Sequence, residues 1–166
     1  MRTSILLLGG ILFLTGCSRP SLGKVTIDWS ALSKDERYRN NIDILTEGPS
    51  GKRFKPGEVS FENRFRSGAA GELLRVANTE EEEAKGYSVQ VKVLSYQGFS
   101  FESKLGNVSY AVTATPSGGG KPIEFTCGNQ RTYSDNVKEG KENVWLLLGD
   151  GLNACGAELA RKLKAL

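Results

Sequence analysis

The side chains able to do covalent chemistry in this 166-residue chain are few, and three of them are cysteines: Cys17, Cys127 and Cys155. Histidine is absent, which removes the commonest general base and both the Ser-His and Cys-His nucleophile arrangements. A tetrahedral metal site wants three or four ligands, and no cysteine cluster with such spacing is available. Carboxylates remain. Asp28, Asp43 and Glu124 fall on the polar half of strand-like alternations, where a solvent-facing position is the ordinary state. Paired carboxyls could cleave a glycoside only from opposite sides of a cleft, and nothing in the spacing brings two together. Glu80-Glu81-Glu82-Glu83 points all round a helix and reads as a solvated face. The sequence therefore predicts a noncatalytic protein with no cofactor and no metal.

Cys17 differs from the other two in its setting. Arg2 gives a charged start, Ile5 to Leu14 is uninterrupted by charge, and Leu14-Thr15-Gly16-Cys17 closes the run. The apolar run is about half the roughly 20 residues needed to span a bilayer, so a plain membrane span is disfavoured, and an ordinary cleaved secretory signal is the nearer rival. The order of residues resembles the bacterial lipoprotein signal. That resemblance implies cleavage after residue 16, a diacylglyceryl thioether on Cys17, and palmitate or another acyl chain on the new amino group. One chain holds a protein only marginally at about 0.8 kcal/mol per buried CH₂, and two or three make the attachment durable. Ser18, where an aspartate is the familiar inner-membrane signal, favours the outer membrane facing the periplasm. The expected organisation is residues 1–16 as signal peptide, 17–24 as lipidated terminus and polar tether, and 25–166 as one globular domain of ordinary size.

An exported address permits disulfides. With Cys17 committed to lipid, Cys127 and Cys155 are an even pair with a single intramolecular pairing. The charge is nearly balanced, 22 Lys and Arg against 19 Asp and Glu, which argues against nucleic acid. The one basic cluster, Arg161-Lys162-Lys164, suits the negative end of a helix dipole better than a phosphate or lipid headgroup site.

The elements that position these residues follow from period. Val25–Trp29 and Asn41–Leu45 alternate as strands near an edge, and Tyr87–Val93, Val108–Thr115 and Pro122–Cys127 alternate as three more. Pro116-Ser-Gly-Gly-Gly120 between the last two is a hairpin connector; a phosphate cradle would open a helix instead. Ser33–Arg39 reads as a loop or one helical turn. Phe61, Phe65, Ala69, Leu73, Val76 and Ala77 share one helix face, with Ser60 as N-cap and Gly86 as the stop. Gly68 and Gly71 weaken that helix by roughly 1 kcal/mol each, a cost that close approach to a sheet would justify. In the last segment Val144, Leu148, Leu152, Cys155, Leu159 and Leu163 form a stripe, with a kink or two abutting helices expected at Gly149-Asp-Gly151 and Gly156. Cys127 shares a strand face with Ile123 and Phe125, so strand and helix turn the two cysteines to one core. The predicted fold is α+β, an antiparallel sheet covered on one face by two main helices.

A helix ending in Lys85-Gly86-Tyr87, a long strand, and Gly106-Asn-Val-Ser-Tyr110 opening another resemble the YajG-type family of small bacterial lipoproteins. The resemblance spans about residues 61 to 166 and implies an α+β envelope lipoprotein without assigned catalytic residues. Two roles are open. One is an accessory or scaffold subunit bound to an envelope protein; the other is a module for lipid or a small apolar ligand serving an envelope transport system, which needs a pocket between helix and sheet.

Overall fold

The computed structural model describes residues 20–33, 60–99, 104–132 and 140–166. The signal, Cys17 and the strand expected at 41–45 lie outside them. The elements are β1 (Ser21–Asp28), α1 (Ser30–Ser33), α2 (Phe61–Gly71), β2 (Arg75–Val76), α3 (Glu80–Lys85), β3 (Tyr87–Gln97), β4 (Leu105–Pro116), β5 (Ile123–Thr132) and α4 (Gly140–Lys164). They form a mixed α+β domain around one five-stranded sheet of order β2-β1-β3-β4-β5.

The sheet is not purely antiparallel. β3, β4 and β5 form an antiparallel meander in which Val91 faces Val112 and Val112 faces Phe125. β1, however, runs parallel to both neighbours, setting Val25 against Val89 and Leu22 against Val76. Alternation reports which face a residue takes and is blind to strand direction. β1 is also interior, flanked by β2 and β3, and it begins at Ser21, inside the stretch expected to be tether; Leu22 is fully buried.

One helix was expected over residues 61–85, and there are two. Ser60 caps α2, its hydroxyl accepting from the Asn63 N–H at 3.2 Å, and Thr79 caps α3 through Glu82 N–H. α2 stops because Leu73 turns left-handed, at φ 62°. Its N–H then bonds the Ala70 carbonyl at 2.8 Å, and Leu74 N–H reaches the Ala69 carbonyl at 3.1 Å. This is the pattern of a Schellman cap, with leucine in the place glycine usually takes. The reversal exposes Leu73 while Leu74 and Ala77 enter the core.

α4 is one continuous helix; its glycines admit neighbours and do not break it. A Cβ on Gly156 would overlap the Phe65 carbonyl, and one on Gly68 would overlap the Asn153 carbonyl. Gly68 therefore serves a helix–helix contact, where a helix–sheet contact was expected, and Gly71 meets nothing within 4 Å. Asn153 Nδ2 donates to the Arg64 carbonyl across the same contact. The α4 stripe is buried throughout, with Leu152, Cys155 and Leu159 at 0% exposure. Beneath it lie Val89, Val91, Val93, Tyr110 and Val112 of the sheet. At about 25 cal/mol per Å² of apolar surface removed from water, this layer is the main source of stability.

Candidate functional site

Period-2 alternation in β5 turns Ile123, Phe125 and Cys127 to the helix side, and 3.6-residue periodicity turns Cys155 to the sheet. The two cysteines are joined as a disulfide with Cα atoms 5.4 Å apart. Around it, the Tyr110 hydroxyl donates to the Leu148 carbonyl at 2.9 Å. Burial, with a smaller contribution from Tyr96, pushes the Tyr110 phenol well above its ordinary value of 10.0. Arg131 of β5 pairs with Asp150 of α4 at 2.9 Å. These links make the packing of α4 on β4 and β5 a structural staple, with Cys155 fully buried and Cys127 part-buried.

The acidic run is engaged and not merely solvated. Glu83 pairs with Arg66 of α2, Glu81 with Lys85, and Glu82 with Arg75 while accepting from the Asn78 N–H at 3.0 Å. The Asn78 N–H, then Arg75, hold the Glu82 carboxyl below its ordinary value. The basic cluster is likewise matched: Arg161 and Lys162 face Glu158, and Lys164 lies 3.8 Å from Glu72. Lys162 also sits 5.4 Å over the Phe125 ring. The Glu158 pairs lie within α4, while Arg161, at 4.0 Å, and Lys164 reach Glu72 and join the end of α4 to the end of α2.

Two surface clefts stand out among the described residues. One, of about 830 Å³, lies between the start of β1, α3, the β4–β5 turn and the end of α4, and is lined by Pro20, Ser21, Arg75, Lys85, Tyr87 and Leu166 among others. The other, of about 740 Å³, lies between α2 and α3 around the Arg66–Glu83 pair. The first lies where helices meet the ends of the sheet strands, and it mixes apolar residues such as Leu163 and Leu166 with Arg75, Glu82 and Lys85. Among the described residues no three His, Cys, Asp or Glu side chains gather as a metal site, and no helix is long and apolar enough to cross a membrane. Asp28 accepts from the Ser30 N–H and caps the turn after β1; Glu124 lies on β5 opposite Thr113; Asp43 is outside the described residues. Asp28 and Glu124 stand on separate strands, β1 and β5, with β3 and β4 between them. The sequence did not single out Leu73, since a leucine continuing an apolar period carries no mark of a left-handed cap.

No family model and no curated protein matches the chain, so the YajG-type resemblance rests on its short motifs alone. Among solved structures, that of an uncharacterised protein is similar over 66% of this chain and 67% of its own, at 16% identity and a TM-score of 0.45. The structure of a minor lipoprotein from Acinetobacter baumannii is similar over 63% of this chain and 83% of its own, at 15% identity and a TM-score of 0.34. Likeness at this level is a partial correspondence of elements, and it assigns the chain to no family.

Proposed function

We propose that this chain is an envelope lipoprotein, anchored through Cys17 and acting as a noncatalytic accessory or scaffold for another envelope protein. The observation that carries the reading is Leu14-Thr15-Gly16-Cys17 at the close of a short apolar run. The Cys127–Cys155 disulfide supports it, because such bonds persist in oxidising compartments. Ser18 favours the outer membrane. The domain itself is packed for rigidity, with ion pairs closing its charged ends.

Metabolic labelling with a fatty acid tests the anchor: wild type should label, and Cys17→Ser should not and should remain unprocessed or be cut elsewhere. Undiminished labelling of Cys17→Ser would end the reading. Mild crosslinking of the native protein should then bring down one defined envelope partner. The 830 Å³ cleft keeps a second reading, a lipid or small-ligand module; co-purification of a bound apolar molecule without any protein partner would favour it.

A further inference from the structure

We propose that the end of the domain formed by Pro20, Leu73 and Leu166 rests on the bilayer that holds the anchor, and that it does so through its leucines and not through basic charge. The inference builds on the lipoprotein reading. Only Ser18, Arg19 and Pro20 stand between Cys17 and β1, a reach of at most about 14 Å for extended chain. A domain so closely held must present the end where β1 starts.

That end has a particular character. Pro20 and Leu166 line the same cleft, and Glu72, next to Leu73, meets Lys164 at the end of α4. Leu73 and Leu166 are each 87% exposed, far beyond Leu94 at 49% and Leu105 at 37%, which sit towards the other end of the sheet. Leu73 is doubly unfavourable in water: a large apolar side chain on a backbone in the left-handed region, where glycine would serve the cap better. Strain of this kind persists where the surrounding structure enforces it, and such residues cluster at functional sites. Apolar side chains at an interface settle about 5–10 Å into the boundary of headgroups and acyl chains. The neighbouring cations Arg75, Lys85, Arg161 and Lys164 already face Glu82, Glu81, Glu158 and Glu72. With Arg19 in the tether as the cation nearest the anchor, the contact should depend on salt and on the fraction of anionic lipid less than on the two leucines.

Both natural tryptophans lie away from this end, Trp29 just after β1 and Trp145 near the start of α4 and packed through Phe61, so tryptophan fluorescence reads the orientation. The full lipidated protein, its acyl groups verified by mass of the N-terminal peptide, is placed in phosphatidylethanolamine–phosphatidylglycerol vesicles carrying lipids brominated high on the acyl chain. Leu73→Trp and Leu166→Trp should each show about a twofold loss of the added emission at the depth such side chains reach. Wild type and Leu94→Trp should be unaffected. Acylated protein with no quenching of Leu73→Trp, or with equal quenching of Leu94→Trp, overturns the proposed orientation and leaves the lipoprotein reading intact. Quenching abolished by 1 M salt (about a 3 Å Debye length) or by neutral lipid overturns the leucine contact in favour of headgroup charge. An unacylated N-terminal peptide removes both readings together.

Discussion

The two halves of the sheet are built by different rules. β3, β4 and β5 pair with the strand next in sequence, through short connections, and α4 is bolted to them by a disulfide and by the Tyr110 hydroxyl. β1 and β2 pair in parallel with strands far along the chain, and their covering helix α2 is held to α4 by two backbone contacts where only glycine fits. The first half tolerates side-chain change up to the strength of its covalent link, whereas the second depends on atoms that are absent. The lesson is that comparable burial can rest on a bond in one place and on a missing methyl group in another.

The largest effect should come from breaking the bond. Cys155→Ser should lower the unfolding free energy by about 3–4 kcal/mol on chain-entropy grounds, measured by denaturant titration. Hydrogen exchange should show β5 amides losing protection first. If β1 loosens as much as β5, the halves are not distinct. Next, Gly156→Val should cost about 2–3 kcal/mol through overpacking, with faster exchange in α2 and unchanged β4–β5 amides; a neutral result would show that the helices are free to separate.

Tyr110→Phe removes a buried hydrogen bond and should cost about 1 kcal/mol. The same phenol contributes to the alkaline fall in stability. Its folded value lies above the unfolded one of 10.0, so the folded state keeps a proton that the unfolded chain gives up. The contribution of Tyr110 should be constant below about pH 10 and be lost as pH rises beyond it, and Tyr110→Phe should flatten that fall. The smallest effect runs the other way: Leu73→Gly should stabilise by up to about 1 kcal/mol, since glycine takes the left-handed cap without strain. A loss of stability there would mean that the leucine packs on the fold, and the case for a membrane contact would weaken with it.

How much of this was legible follows the same division. The alternations of β3 to β5, the α4 stripe and the facing of Cys127 towards Cys155 were readable because each reflects a residue's own neighbours in sequence. The parallel pairing of β1 was not, since a strand beside either kind of partner alternates alike. The end of α2 was hidden because Val76 and Ala77 continue the helical period past Leu73, and the usual glycine signal is missing. Gly68 announced a close approach and Gly156 read as a break in the helix, and only the structure supplies the partner: each lies against the other's helix. As for the candidate site, residues that bear chemistry were easy to list, and their mutual pairing into closed charge networks depends on distances no spacing encodes.

That α4 follows all five strands in chain order has a consequence for export. A chain delivered through a membrane N-terminus first presents β1 when its partner β3 is still inside, so Val25 must wait for Val89. Even the completed sheet remains half of a core until Leu147, Leu148, Leu152 and Leu159 arrive. Until then the part of the apolar face that α4 covers stays open to water, so release of the α4 segment, rather than appearance of the first strand, limits when the molecule becomes safe from aggregation and from proteases.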